Sequence, residues 1–112
     1  MDWRTMEGTV DYGPLAEPTI PRLFEAAAAE HVDGVAQRYK GGIYDRSLVA
    51  AGAVDAAPSG EYAALTYGDL RSVVRRLAAG FRTLGVGADD RVGIFSETRL
   101  EWAQTDFALL AA

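Results

Sequence analysis

The sequence predicts an α/β fold in which helices pack on an incomplete sheet, and three observations carry that prediction. Leu70, Val73, Val74, Leu77, Ala78, Phe81 and Leu84 recur at the spacing of one helical face. Short runs that read as strands stand on either side of that helix, at Val35 to Lys40, Tyr62 to Tyr67 and Arg91 to Ser96. Apolar residues make up 49% of the chain, and its four Pro and twelve Gly are scattered rather than clustered, so a packed segment is favoured over disorder. A length of 112 residues allows one small domain at most.

Met1 to Pro18 mixes charges, Gly, Pro and single aromatics without a helical or strand period, and reads as an extended lead-in. The domain proper then runs over 19–112. Thr19 is placed to cap a helix with Pro21 in its first turn and Ile20, Leu23, Phe24, Ala27 and Ala28 on one stripe, ending near His31. Val35 to Lys40 alternates Val, Gln and Tyr against Ala, Arg and Lys as a short strand does. Gly41-Gly42 is a turn signal that allows a hairpin into Ile43 and Tyr44. Ser47 to Gly60, rich in Ala, Gly, Asp and Pro, reads as a loop leading to the strand at Tyr62 to Tyr67.

Asp69 marks the start of the long helix, and Gly85 suits a left-handed cap at its end with Val86 supplying the accompanying apolar contact. Gly87 to Asp90 turns into Arg91 to Ser96, whose Val92, Ile94 and Phe95 predict a central strand. A last helix is expected from about Thr98, with Glu97 and Glu101 near its positive end and Leu100, Trp102, Ala103, Phe107, Leu110 and Ala111 along it. Its apolar ending, Leu109 to Ala112, carries no cap and no polar tail and reads as a truncation.

Composition excludes several functions. A net charge of -5, with basic residues interleaved among more numerous acids, argues against nucleic-acid binding. Without cysteine there is no disulfide, thiol nucleophile or thiolate metal site. The first residues are charged, and no stretch approaches the roughly 20 apolar residues of a membrane span, so a cytoplasmic protein is expected; peripheral membrane association is left open.

Each chemically suggestive residue has a plainer explanation. Gly85-Val86-Gly87 follows a helix and precedes a strand, the reverse of a dinucleotide loop, and is better read as a cap turn. Asp89-Asp90 beside Arg91 fits a solvated turn better than a cation site. His31, the single histidine, suits a helix C-terminus, and Arg75-Arg76 lies off the apolar stripe on a solvated or partner-facing surface. Trp102 and Phe107 read as core, and Asp106 as a carboxylate bonded to a loop. Lys40, the single lysine, follows a strand without the glycine cradle that nucleotide phosphates require. No catalytic, cofactor-binding or metal-binding residue is assigned.

From Leu65 onward the chain carries Leu65-Thr66-Tyr67-Gly68-Asp69-Leu70, Leu77-Ala78-Ala79-Gly80-Phe81, Leu84-Gly85-Val86 and Asp90-Arg91-Val92-Gly93-Ile94. This series resembles the opening motifs of the adenylate-forming (AMP-binding) superfamily of acyl-CoA synthetases, luciferases and peptide-synthetase adenylation domains. Ser96-Glu97-Thr98-Arg99-Leu100-Glu101-Trp102, with Asp106 and Ala108, is similar to the long-chain fatty acid–CoA ligase branch, as are Thr19 to Phe24 and Ala36 to Tyr39. The chain departs from that pattern where Asp89 replaces the usual Gly and Thr98 the common Asn.

The resemblance implies an α/β domain in which a fatty acid and ATP with magnesium give an acyl-adenylate and pyrophosphate, after which CoA displaces AMP. A phosphate loop, magnesium and a lysine would stabilise the charge developing there. In the family those motifs lie downstream of the positions matched here, so the resemblance transfers no catalytic residue and implies that this segment alone is inactive. Two other readings stand beside it. One is an adenylate-forming enzyme for a short, aromatic or amino acid; the other is a non-catalytic module that binds a partner protein through exposed apolar faces.

Overall fold

The long amphipathic helix organises everything else in the computed structural model, which describes residues 19–112. The expected lead-in, Met1 to Pro18, lies outside the described residues. In chain order the elements are α1 (Ile20–Glu30), β1 (Val35–Lys40), β2 (Tyr62–Thr66), α2 (Tyr67–Thr83) and α3 (Leu100–Ala111). Two antiparallel strands form the sheet, and the three helices pack beside it.

α2 begins two residues before Asp69, because Thr66 is both the last residue of β2 and the helix cap. The Asp69 backbone N–H donates to Thr66 Oγ1 and the Thr66 N–H donates to Asp69 Oδ2, each at 3.1 Å, a reciprocal capping box. The next two free N–H groups, on Tyr67 and Gly68, donate to the carbonyls of Gly34 and Val32 at 2.9 and 3.0 Å. The open donors of the helix start are thereby satisfied by the turn before β1, which ties α2 to the sheet. At the other end Gly85 has φ +98°, Val86 N–H reaches Phe81 O and Gly85 N–H reaches Arg82 O, both at 3.0 Å. That is the expected left-handed Schellman cap.

α1 starts as expected: Thr19 Oγ1 accepts from Arg22 N–H at 3.4 Å, Pro21 lies in the first turn, and His31 is the C-cap. Of its stripe Phe24 and Ala28 are buried, whereas Ile20 and Leu23 remain exposed. Phe24 and Ala28 join Leu70, Val74 and Ala78 of α2 and Ala108 of α3 in a helical core, with Phe107, Leu77 and Phe81 packed at its margin.

β1 pairs with β2, across the loop read between the two strands, and the hairpin into Ile43 and Tyr44 that Gly41-Gly42 allowed does not form. Gly42 does turn the chain with φ +86°, but the Tyr44 carbonyl then accepts from the N–H groups of Ser47 and Val49, which curls the backbone instead of extending it. Gly41 is buried against the returning chain, where the Ala57 and Pro58 backbone occupies the space a Cβ would need. A bulge between Val35 and Gln37 changes the expected alternation. Val35 is exposed, Ala36 turns towards the helical core, and Tyr39 enters a second core with Val54, Leu65 and Leu100.

The expected central strand at Arg91 to Ser96 does not form; the segment is unpaired chain without regular secondary structure. A strand with apolar residues on both faces needs neighbours along its edges and a layer on each side. No strand among the described residues lies alongside it, so Val92 is 48% exposed and Phe95 fully exposed. α3 starts at Leu100, two residues later than expected, with Arg99 as N-cap and no side-chain cap from that residue.

Candidate functional site

Ser96 to Trp102, a run similar to the long-chain ligase branch, folds into a polar cluster at the entry to α3. Glu101 occupies the first turn, where the helix dipole favours a carboxylate. Arg99 forks onto it, with Nε donating to Oε2 and Nη2 to Oε1, both at 3.1 Å. Ser47 Oγ, from the loop after β1, donates to the same Oε1 at 3.0 Å. The Arg99 guanidinium carbon lies 5.6 Å from the centre of the Tyr44 ring, a cation–π arrangement. The Tyr44 hydroxyl accepts from the Leu100 N–H at 3.3 Å and so supplies the cap that Arg99 does not.

Partial burial pushes the Glu101 carboxyl up, but the hydrogen bonds from Arg99, its own backbone and Ser47, with the Arg99 charge, outweigh it and hold the group below the usual carboxylate range. A carboxylate so fully occupied is a poor proton acceptor. The arrangement joins two stretches of chain and offers no reacting group.

Behind this cluster sits a buried amide pair. Gln104 is completely buried on α3; its Nε2 donates to Gln37 Oε1 at 3.0 Å, and Gln37 Nε2 donates to the Leu100 carbonyl at 3.3 Å. Among the described residues the Gln104 Oε1 has no partner. The buried polar residue of α3 is therefore Gln104, while Asp106, expected to fill that role, is only half-buried. The signal was present in the sequence: Leu100, Gln104 and Ala108 recur every four residues on one face.

Ser96, Thr98, Arg99, Trp102 and Ala103 line an open cavity of about 320 Å³ beside the cluster. Trp102 is 43% exposed on its wall and is not core, because the buried row of α3 runs through Leu100, Gln104 and Ala108 instead. Phe107 does pack inward, stacked on Phe24. A second cavity, about 280 Å³, lies between the Gly52 to Asp55 loop and Asp69, Ser72 and Arg76 of α2. At its edge Tyr39 donates its hydroxyl to the Asp55 carbonyl at 2.7 Å, and burial, then the charges of Asp55 and Asp69, push that phenol up.

The other singled-out residues stay apart from the cluster. Arg75 pairs with Glu25 of α1 through two bonds of 2.9 and 2.7 Å, which identifies one side of the expected solvated face as a helix–helix contact. His31 ends α1, its N–H on the Ala27 carbonyl. Asp90 accepts the Gly87 N–H at 2.8 Å inside the turn, and Asp89 has φ +66°, the left-handed conformation that explains a glycine at this position in the resembling pattern.

These residues do not fit a nucleotide or its metal. Gly85 and Gly87 lead into turns and irregular chain rather than a helix whose N–H groups could cradle phosphate, and Lys40 is exposed at the end of β1. Among the described residues no group of three His, Cys, Asp or Glu side chains is placed to hold a metal ion. Also among them, no helix is long and apolar enough to cross a membrane.

Comparison with known proteins adds what geometry alone does not. The family profile described as "AMP-binding enzyme" matches residues 24–112. Long-chain-fatty-acid–CoA ligase FadD15 of Mycobacterium tuberculosis is 48% identical over 52 residues, 46% of this chain and 9% of that protein. Long chain acyl-CoA synthetase 8 of Arabidopsis thaliana is 46% identical over 43 residues, 38% of this chain and 6% of that protein. The aligned stretches thus span less than a tenth of either relative. No solved structure matches significantly.

Proposed function

The chain belongs to the AMP-binding enzyme family, and from that membership we propose that it is the N-terminal part of an ATP-dependent long-chain fatty acid–CoA ligase. The proposed reaction converts a fatty acid, ATP and CoA into acyl-CoA, AMP and pyrophosphate, with magnesium as the metal. One observation carries the substrate class: the 48% identity to a protein named as a long-chain-fatty-acid–CoA ligase. A cytoplasmic location is part of the same proposal.

Within that enzyme the described residues act as scaffold. The capped α2 and the Arg99–Glu101 cluster hold surfaces on which the rest of the domain is built, and the phosphate loop and activating lysine come from elsewhere in the protein. The 112-residue chain alone is proposed to be inactive, since its described residues offer no cradle for phosphate.

The test is to read the coding DNA past Ala112 and assay the complete product. Fatty-acid-dependent pyrophosphate release followed by acyl-CoA formation, with long-chain acids accepted, is the expected result. Activity confined to short, aromatic or amino acids would keep the family and reject the substrate. A chain that ends at Ala112 and releases no pyrophosphate would reject the ligase reading and favour a module that binds a partner protein.

A further inference from the structure

We propose that the segment between Gly42 and Gly60 is a strap that opens as one unit, latched shut by the Arg99–Glu101 pair. This inference rests on geometry and is independent of the ligase reading. Three observations support it.

The strap is bounded by glycines with φ +86° and +84°, at Gly42 and Gly60, conformations that tolerate rotation better than any other residue would. Between them the backbone satisfies itself. Ala51, Gly52, Ala53 and Val54 donate their N–H groups to Ser47, Val49, Leu48 and Leu48 carbonyls at 2.9, 2.9, 2.8 and 3.4 Å. Such a segment loses none of these bonds when it swings outward, so its motion costs only what attaches it to the body.

Its polar attachments within 44–55 are few. Ser47 meets Glu101, Tyr44 meets Leu100 N–H and the Arg99 guanidinium, and the Asp55 carbonyl meets the Tyr39 hydroxyl. Two of the three converge on the entry to α3, where Arg99 and Glu101 hold each other in place. Val54 is buried in the second core and Tyr44, Leu48, Val49 and Ala57 pack against it, so apolar contact adds to the latch in holding the strap shut. Opening would bare that core and remove the Gly52 to Asp55 wall of the 280 Å³ cavity.

Thiol labelling on the full chain tests the strap. The chain has no cysteine, so Val54→Cys, at a position only 6% exposed, places a single thiol that is covered when the strap is shut and accessible when it is open. Adding Glu101→Gln should speed that labelling by roughly tenfold, the scale of a lost charge-assisted bond, and leave labelling of a Val74→Cys control in α2 unchanged. Ser47→Ala, at an exposed hydroxyl with no packing role, should give a smaller rise at position 54 and serves as the test if Glu101→Gln fails to fold. Ser47→Asp, which sets a second carboxylate against Glu101, should give the largest. Unchanged labelling at position 54, or a rise shared equally with position 74, would overturn the proposal.

Discussion

The rings of Phe24 and Phe107 stack with centroids 4.7 Å apart and planes inclined by 20°, joining the first helix to the last. Phe24 is nearly fully buried, so Phe24→Ala should cost about 3 to 5 kcal/mol of unfolding free energy. A double-mutant cycle with Phe107→Ala should return a coupling of about 0.5 to 1.5 kcal/mol by urea denaturation. Additive effects would show that the two rings share a core without interacting.

Gln104 Oε1 is a buried acceptor without a partner among the described residues. Gln104→Met preserves the volume and removes that atom, so it should change stability by less than about 1.5 kcal/mol and in the favourable direction if Gln37 turns to water. Gln104→Glu should destabilise by more than about 2 kcal/mol at neutral pH, and by less near pH 4.5, where the carboxyl is neutral. Equal losses at both pH values would mean that the site is wet.

Asp89 holds a left-handed backbone, φ +66°, without the glycine that this conformation suits. Asp89→Gly should stabilise by about 0.5 kcal/mol, the relief of Cβ crowding being partly offset by the freer unfolded chain. Asp89→Val should destabilise by more than about 1 kcal/mol, because a β-branched residue resists the conformation. Thermal melts of the pair check the order Gly, Asp, Val.

Glu101 and Tyr39 set opposite edges of the pH range. The Glu101 carboxyl titrates lower folded than unfolded, so its contribution is present above about pH 4.3 and is lost as pH falls through its lowered folded value. The Tyr39 phenol, pushed up by burial, contributes up to about pH 10 and loses that contribution as pH rises through its raised folded value. Denaturation midpoints measured against pH should show both shoulders. Glu101→Gln should flatten only the acidic one, and a wild-type curve without that shoulder would remove Glu101 from the stability of the fold.

α1 and α2 were legible because their signals are local: Thr19 and Pro21 at one start, Asp69 at the other, Gly85 at an end, and an apolar stripe between. The capping box at Thr66 moved the start of α2 by only two residues. Trp102 misled because its neighbours in sequence are apolar, while α3 buries the row through Gln104, and a helix pattern alone does not say which of two adjacent rows meets the core.

The polar cluster was legible only by half. Arg99 and Glu101 stood out in the resembling motif, yet nothing near Tyr44 or Ser47 announces that they close it from 54 residues away in the case of Ser47 and Glu101.

By itself the sequence determined the family, the amphipathic helices with their caps, and the absence of thiol chemistry, since these depend on residue identity and short-range spacing. The tertiary structure decided which strands pair, which face of α3 is buried, and that Arg91 to Ser96 stays unpaired. Those outcomes depend on neighbours: a strand acquires its hydrogen bonds and an apolar side chain its burial only from segments brought alongside, and such segments are not written into the local pattern.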